Sequence, residues 1–373
     1  MVRVAIIGAG IVGSAIAYEL SRVRGLEVIV LEKNPAHEWG ATGAALGVLL
    51  GGLSQKRSGK HLQLRQASLK RWDSLVSELE AITGQPLPYN RHGILELCFD
   101  PQAWTKWQGI QPDRQAQGFP LVLWSVAEVQ ARYPEVAIEG LVRGVFSAQD
   151  RQIAPIPVTQ ELRQAAQQQG AQFYFQAQLD PLVATSGRVM QLSWQNQVDQ
   201  QSQEIDVLVI AAGLGSTSLT AALSEKIQLQ PVLGQAIHYR CITPITQNWP
   251  VIQGQDIHLV PVLSSFQASP EFWVGATVEF PADTLAPEQL DPTRLLHLQA
   301  QALEMFPFLA QAEVITTWSG MRPRPVNRPA PIIEPLANYE NVYLATGHYR
   351  NGILLAPITA QLIATEITQI LQP

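Results

Sequence analysis

Val4-Ala-Ile-Ile-Gly-Ala-Gly-Ile-Val-Gly13 is the stretch of sequence that decides the fold. Its first four residues are apolar and mostly β-branched, which is typical of a strand buried in a parallel sheet. Gly8, Gly10 and Gly13 have the spacing G-x-G-x-x-G, which allows a tight turn, a close approach of backbone to a pyrophosphate and close packing of helix on sheet. The residues up to Leu20 predict a helix whose N-terminus faces that phosphate.

A second strand and a terminal acid complete this pattern. Val28 to Leu31 is apolar and is followed at once by Glu32. A carboxylate at this place suits the two hydroxyls of an adenosine ribose and repels a 2′-phosphate. Strand, glycines, helix, strand and acid together predict a site for an adenine dinucleotide, and at this point NAD and FAD are equally open.

The composition limits the class of protein. A chain of 373 residues with 46% hydrophobic and 15% charged residues is typical of a globular enzyme of about two domains. The net charge of −6, without a block of Lys or Arg, argues against a nucleic-acid surface. Cys98 and Cys241 have neither metal nor redox spacing, so we expect them in the core of a protein from a reducing compartment. The chain starts directly with a strand, which favours a cytoplasmic location.

The alternation of strands and helices is interrupted twice. Residues 100–145 are rich in Trp, Pro and Gln, and strand patterns dominate between Gln228 and Met321, with one helix from about Pro292 to Phe306. We therefore predict an α/β fold, α+β overall, in which a Rossmann-type cofactor-binding domain carries an inserted, mainly antiparallel substrate-binding domain. The predicted cofactor domain comprises residues 1–86, 146–228 and 325–373. The predicted substrate domain comprises residues 87–145 and 229–324.

Local patterns predict further elements. Apolar residues at three- and four-residue steps from Leu62 predict a helix that ends near Gly84. Residues 171–179 predict one strand, and a hairpin-like pair follows around Gly187 and Gln197. The C-terminal stretch predicts a strand from Val342, a glycine turn and a last helix, with Pro357 at its first position.

Four stretches carry a resemblance to a known family. They are Ala41-Thr-Gly-Ala-Ala-Leu-Gly47, Val207 to Gly213, Gly320-Met-Arg-Pro323 and Gly347-His-Tyr-Arg-Asn-Gly-Ile-Leu-Leu-Ala-Pro357. With the N-terminal glycines and Glu32, they make the chain resemble, over nearly its whole length, the D-amino-acid-oxidase (DAO) family of FAD-dependent oxidoreductases. Within that family it is most similar to the glycine oxidases of thiamine biosynthesis. The resemblance decides for FAD and makes the Rossmann-type unit the FAD-binding domain.

The resemblance also implies where the cofactor lies. The small residues after Ala41 would lie against the isoalloxazine, and their lack of His or Cys implies non-covalent FAD. The backbone of Gly352 and the last helix would point N–H groups and the positive end of a dipole at the flavin pyrimidine. The implied FAD-binding residues are Gly8, Ala9, Gly10, Ile11, Val12, Gly13, Glu32, Lys33, Thr42, Gly43, Ala44, Ala45, Gly47, Leu179, Ala212, Gly213, Arg322, Arg350, Asn351, Gly352, Ile353 and Leu354.

Three residues are implied on the substrate side. Arg322 matches the family's carboxylate-binding arginine, whose fork of N–H donors suits bidentate capture. Arg350 lies beside the substrate or orders its loop, and His258, where glycine oxidases carry a tyrosine, contacts the substrate or packs. Val278 stands for a methionine of the family's pocket. We expect structural roles for Arg324, Arg328, His92 and Asp150, and we expect no metal site.

The expected activity is oxidation of a small amino acid or secondary amine, of the glycine, sarcosine or D-amino-acid type. Hydride transfer to flavin N5 would give an imine and then a 2-oxo acid, and dioxygen would reoxidise the flavin to give hydrogen peroxide. One alternative is a dehydrogenase that passes electrons to a quinone or carrier protein. Another is a flavoprotein without an amino-acid substrate. A nicotinamide-dependent reductase would leave the loop after Ala41 without a role.

The expected partners are therefore small molecules. They are the amine or amino acid and dioxygen or another electron acceptor. We expect no nucleic acid and no transmembrane segment, because the uncharged stretch from Trp39 to Gln55 is too short to span a bilayer. The oligomeric state is open, and a homo-oligomer is one alternative.

Overall fold

The computed structural model describes residues 1–196, 199–242, 249–263, 269–280 and 291–370. In these residues the helices are α1 Ile11–Ser21, α2 Gly40–Gly43, α3 Lys60–Thr83, α4 Pro101–Ala116, α5 Val126–Arg132, α6 Pro155–Gln168, α7 Ser216–Ala222, α8 Pro292–Met305 and α9 Gly352–Ile370. Short 3₁₀ turns span Gly213–Gly215, Pro307–Gln311 and Tyr349–Asn351. The strands are β1 Val2–Ile7, β2 Leu26–Leu31, β3 Val48–Leu49, β4 Tyr89–Asn90, β5 Ile94–Cys98, β6 Leu121–Trp124, β7 Arg143–Ser147, β8 Arg151–Ile153, β9 Gln172–Tyr174, β10 Gln178–Leu179, β11 Gln191–Gln195, β12 Gln200–Glu204, β13 Val207–Ile210, β14 Leu229–Arg240, β15 Val251–Gly254, β16 Ile257–Pro261, β17 Glu271–Gly275, β18 Glu313–Pro325, β19 Ile332–Pro335 and β20 Val342–Thr346.

The predicted parallel sheet is confirmed. Its six strands have the order β19-β20-β13-β1-β2-β9, and all neighbours are parallel except the edge pair of β19 and β20. Side chains of β1 alternate between two cores, with Val4 and Ile6 on one face and Ala5 and Ile7 on the other. Both faces are buried, which explains why the strand has an unbroken apolar sequence.

Different layers cover the two faces of this sheet. Helices α1, α3, α6 and α9 pack together on one face, with Trp72 and Tyr18 among their buried side chains. The small antiparallel sheet β10-β11-β12 covers the other face and contributes Leu192 and Trp194 to the core. The arrangement leaves open the edge of the sheet at which the parallel strands end.

The inserted antiparallel sheet is also present. It has eight strands in the order β18-β14-β17-β16-β15-β5-β7-β6, and only β15 and β5 are parallel neighbours. Helices α5 and α8 contribute to the core on one of its faces. A fourth sheet in the described residues, β3-β8-β4, is formed by three short strands. Strand β7 spans the predicted boundary at residue 145, and the domain limits stay a prediction.

One predicted strand proved to be two. Residues 171–179 form β9, which extends the parallel sheet, and β10, which belongs to the three-stranded sheet. Between them Gln176 has a φ of 56°, a left-handed conformation that ends a strand. The predicted hairpin corresponds to β11 and β12, and Gln197 itself lies outside the described residues.

The prediction for Pro357 is wrong. The last helix begins at Gly352, so Pro357 lies inside α9 and its missing N–H interrupts the hydrogen-bond ladder there. Two side chains of α3 replace the lost donors. The Nε1 of Trp72 donates to the carbonyls of Ile353 (3.2 Å) and Leu354 (3.1 Å). The hydroxyl of Ser68 also donates to the carbonyl of Leu354 (2.5 Å). Helix α3 therefore holds the first turn of α9.

Two predictions from composition can be compared with the structure. Cys98 and Cys241 are buried, free thiols, as predicted. Burial raises the pKa of both thiols, that of Cys241 to about 11. Across the part of the chain that the structure describes, no helix combines the length and the apolar character needed to cross a membrane.

The contact between α3 and α9 gives a first prediction. In Trp72→Phe a smaller aromatic ring replaces the indole and the N–H is lost, so two carbonyls next to Pro357 lose a buried donor. We expect the free energy of unfolding to fall by about 1–3 kcal/mol, the cost of an unsatisfied buried polar group. Urea unfolding at matched FAD saturation measures this.

Trp194→Phe is the matched control. Trp194 is as deeply buried, but its Nε1 has no hydrogen-bond partner among the described residues. A loss in the control equal to that in Trp72→Phe would contradict the assigned role of the indole donor.

Candidate functional site

A cavity of about 1650 Å³ lies at the edge where the parallel strands end. It is bordered by the ends of β1, β13 and β20, by α2, and by β14 and β18 of the antiparallel sheet. In open α/β sheets this edge is where ligands bind. The volume exceeds the roughly 300–1,000 Å³ of ordinary ligand pockets, so it offers room for a large cofactor and a second ligand.

The glycines at the start of α1 fit the predicted roles. Gly8 has a φ of 105°, and a Cβ there would lie 2.6 Å from the carbonyl oxygen of Ala211 at the end of β13. A Cβ on Gly13 would lie 1.8 Å from the carbonyl oxygen of Gly8. No side chain fits at either position, so this turn stays open to a phosphate.

Glu32 is held in place beside the turn. Its carboxylate accepts hydrogen bonds from the N–H groups of Ala9 (2.8 Å) and Asn34 (3.0 Å). On the other side, the guanidinium of Arg163 in α6 donates to the carbonyls of Ala9 and Ala36. Burial lowers the pKa of Arg163 to about 10, and its position adds a positive charge next to the turn.

The loop of small residues packs between the two sheets. Thr42 Oγ1 accepts a hydrogen bond from the N–H of Ile11 (3.1 Å), which ties the loop to the start of α1. Trp318 Nε1 of β18 donates to the carbonyl of Ala44 (3.2 Å). A Cβ on Gly320 would lie 2.2 Å from the Cβ of Ala44, so a side chain there would displace the loop.

Arg322 points into the far part of the cavity from β18. Both of its hydrogen bonds in the described part of the chain come from Nη1, to the carbonyls of Leu233 (3.1 Å) and Thr277 (3.0 Å). The guanidinium lies against Gly234, where a Cβ would be 2.2 Å from Nη2. This anchoring leaves the Nε and Nη2 edge for a bidentate contact with a carboxylate.

His258 and Arg350 line the same part of the cavity. Burial and the charge of Arg350 together lower the pKa of His258 to about 4, so the imidazole is neutral at pH 7. Burial and the charge of Arg350 also lower the pKa of Arg322. The positive charge near His258 is therefore carried by two arginines.

His348 is a buried member of the C-terminal glycine motif. It is 4% exposed, and its Nε2 is 2.9 Å from Oγ1 of Thr359 on α9. Burial lowers its pKa to about 4. Gly347, with a φ of 65°, makes the turn before it. This neutral imidazole fixes the approach of β20 to α9.

Most of the predicted site residues lie together around this cavity. Those that line it are Gly8, Gly10, Ile11, Val12, Glu32, Lys33, Thr42, Ala44, Ala45, Gly47, Leu179, Ala212, Gly213, His258, Arg322, Arg350, Asn351, Gly352 and Ile353. Ala9, Gly13, Gly43 and Leu354 do not line it, and neither does Val278. Ala9, Gly13 and Leu354 instead make the contacts within the protein described above. The assigned roles stay predictions.

The residues expected to be structural behave in different ways. The buried carboxylate of Asp150 accepts hydrogen bonds, all of 2.7 Å, from the N–H groups of Gly51, Gly52 and Leu53, and so holds the loop after β3. Nη2 of Arg328 donates to both carboxylate oxygens of Glu334. Arg324 is exposed, and both arginines border the cavity.

Among the cavity-lining side chains that were not predicted are four basic ones. They are Lys56, His61, Arg65 and Arg163. His61 and Arg65 are four residues apart on α3, a spacing that places them on one face. That spacing was a usable signal. Which face it marks depends on the packing of α3 against α9.

Comparisons with known proteins agree with this geometry. A family model described as "DAO: FAD dependent oxidoreductase" matches residues 3–366. The bifunctional protein ThiO/ThiG of Synechocystis sp. is 32% identical over 97% of this chain and 51% of its own length. The glycine oxidase of Geobacillus kaustophilus is 26% identical over 97% of this chain and 91% of its own length. The chain thus spans about half of the bifunctional relative.

A solved structure shows the same fold. The crystal structure of the glycine oxidase from Bacillus cereus superposes with a TM-score of 0.86 at 24% identity, covering 99% of this chain and 95% of that one. The predicted combination of a parallel and an antiparallel sheet is confirmed by this likeness.

Burial of the neutral His348 makes the stability of the protein depend on pH. Its pKa is near 4 in the folded protein and near 6.5 when unfolded, so between these values only the unfolded chain takes up the proton. Stability therefore falls as the pH falls through this window. In His348→Gln the loss of unfolding free energy between pH 7 and pH 4.5 should be about 2–3 kcal/mol smaller than in the wild type. Urea unfolding at both pH values measures it.

His297→Gln is the control, because His297 is exposed on α8. We expect it to keep the wild-type pH dependence. A wild-type dependence in His348→Gln as well would show that His348 does not resist protonation in the folded protein.

Proposed function

Because the chain belongs to the DAO family of FAD-dependent oxidoreductases, we propose that it oxidises a small amino acid or N-substituted amino acid through its Cα–N bond. The observation that carries this proposal is Arg322, anchored through Nη1 and with its other edge free in the cavity. Similarity to the glycine oxidase of Geobacillus kaustophilus supports the same class of substrate.

The residues of the cavity fit FAD. The turn of Gly8 and Gly13 excludes side chains, Glu32 is oriented beside it, and the cavity continues past Ala44 to the first turn of α9. FAD held there would supply the acceptor for the hydride of the Cα–H bond, and dioxygen, reduced to hydrogen peroxide, or another acceptor would take up the electrons.

Arg322 orients the substrate. Two N–H groups on one carboxylate fix both the position and the plane of the substrate, because the guanidinium fork is rigid. Its Nη1 anchors on Leu233 and Thr277 restrict the fork itself. Positioning of this kind lowers the barrier by removing the entropy cost of alignment.

The electrostatics of the cavity favour the neutral amine. Arg322 and Arg350 place positive charge at the substrate end, and His258 adds none at pH 7. Neighbouring positive charges lower the pKa of a bound ammonium group. The substrate therefore binds as the neutral amine, its ammonium proton being released to bulk water, and only the neutral amine has the lone pair that drives hydride loss from Cα.

The proposal is tested by anaerobic titration of the FAD-loaded protein. Glycine, sarcosine, D-alanine and D-proline are added one by one, and the visible flavin band is followed. We expect at least one of them to bleach the band. In Arg322→Met the concentration for half-maximal bleaching should rise by more than about tenfold, since truncating one partner of such a charge pair costs on the order of 2–5 kcal/mol.

Arg57→Met is the control for Arg322→Met, because Arg57 pairs with Asp113 at the surface and does not line the cavity. Bleaching at unchanged concentration in Arg322→Met would overturn the role of this arginine. Absence of bleaching with every amino acid offered would contradict the proposed substrate class. Admitting air to the reduced protein then separates an oxidase, which reoxidises rapidly, from a dehydrogenase.

Gly234 gives an independent prediction. In Gly234→Ala the new Cβ meets the movable end of Arg322, so the guanidinium shifts while the backbone stays. We expect a rise in the half-maximal amino-acid concentration of about threefold or more, equal to roughly 0.7 kcal/mol, with an unchanged melting temperature. Gly109→Ala, where a Cβ meets nothing within 4 Å, is the control. A large loss of stability with unchanged substrate affinity would contradict this explanation.

A further inference from the structure

Two polar atoms of α3 lack hydrogen-bond partners among the described residues, and their side chains line the cavity that contains Arg322. The Nε of Arg65 and the Nδ1 of His61 are buried, and neither has a hydrogen-bond partner among the described residues. Both side chains line the cavity that contains Arg322 and Arg350. Leaving such groups unsatisfied is costly, so their burial indicates a ligand that supplies the missing partners.

The packing of α3 places the side chains of His61 and Arg65 at the cavity. His61, Arg65, Ser68 and Trp72 follow one another at three- and four-residue steps, so they form one stripe along α3. Ser68 and Trp72 bond to the carbonyls of the first turn of α9. The stripe is thus fixed against α9 at its far end, and its first two members lie over the cavity that the start of α9 borders.

The charge of this region is positive. Burial lowers the pKa of Arg65, and the charge of Arg350 lowers it further. Arg350 acts in the same way on Arg322, so it is a positive neighbour of both. Asp150 is the carboxylate that acts on Arg65, and its oxygens already accept three backbone N–H groups. The carboxylate charge near Arg65 is thus shared with other donors.

The neighbourhood of His61 adds to this charge. Lys56 also lines the cavity and, with Arg65 and burial, lowers the pKa of His61. Apolar Val48 and Leu50 line the same cavity. An anion in such surroundings is poorly hydrated, which strengthens its contact with a guanidinium.

We propose that Arg65 and His61 form a second anion-binding position, so that the preferred substrates are amino dicarboxylates. One carboxylate binds to Arg322, and the other binds to the Nε edge of Arg65 and to His61. This inference rests on the proposed function for the role of Arg322. It adds the chemical class of the substrate.

The test uses two ligands that lack the amine and are therefore not oxidised. Diglycolate carries two carboxylates around an ether oxygen, and methoxyacetate is the same molecule with one of them replaced by hydrogen. Both are titrated into the oxidised, FAD-loaded protein, and binding is followed by the change in the flavin spectrum. The wild type should bind diglycolate about tenfold to hundredfold more tightly than methoxyacetate, the range for one added charge-assisted hydrogen-bonded contact.

Variants of Arg65 decide the assignment. In Arg65→Gln the preference for diglycolate should be lost while the affinity for methoxyacetate is unchanged, which also shows that the protein is folded and that Arg322 is in place. Arg65→Lys, which keeps the charge without the fork, should retain part of the preference. Lys60→Gln, on the same helix but exposed and outside the cavity, should match the wild type.

Each other outcome overturns the inference. Equal loss of both ligands in Arg65→Gln would mean that Arg65 acts only through the general field, and no loss would mean that it does not touch the ligand. A folded Arg65→Gln protein that no longer retains FAD would assign Arg65 to the cofactor. Failure of methoxyacetate to bind to any form would instead count against Arg322 and the proposed function.

Discussion

The whole molecule depends on the close approach of backbone at the ends of β1 and β13. Gly8 lies so near the carbonyl of Ala211, and Gly13 so near that of Gly8, that no side chain fits between strand, turn and helix. Because the parallel strands end at one edge, this contact sets the position of α1 and of the next strand ends. The loop around Thr42 and the long strand β18 are then packed against that edge.

The part of the cavity around Arg322 depends on a different interaction, the placement of positive charge. There arginine side chains are partly buried. Some of their N–H donors bond to carbonyls of the protein, and the others face the cavity. Arg322 uses Nη1 on two carbonyls, and His258 stays neutral because burial and Arg350 oppose its protonation. The resulting positive field favours an anion in this part of the cavity. It does so without a carboxylate base among the residues that approach Arg322 in the cavity of the described chain.

Sequence patterns predicted the structural elements that depend on residues close together in the chain. The glycine spacing, the apolar strands and the ending of α3 at Gly84 are local, and the structure confirms these elements. Pro357 was misplaced because Trp72 and Ser68 donate to the nearby carbonyls of Ile353 and Leu354, from which they lie 281 and 286 residues away in the chain. Arg65 and Arg163 were overlooked for the same reason. Each occurs in an amphipathic helix, and only tertiary packing shows that its side chain faces a cavity instead of solvent.

The stripe along α3 contains residues of two kinds, those that hold the start of α9 and those that line the cavity. A change at Ser68 or Trp72 disturbs the start of α9, and with it the edge at which the cofactor binds. His61 Nδ1 and Arg65 Nε have no hydrogen-bond partner among the described residues, and both side chains line the cavity, so we expect a change at either position to act on the cavity. With Arg65 and His61 in the proposed role, natural variation or protein engineering can exchange the substrate preference at two positions while the packing of α9 against α3 is inherited intact.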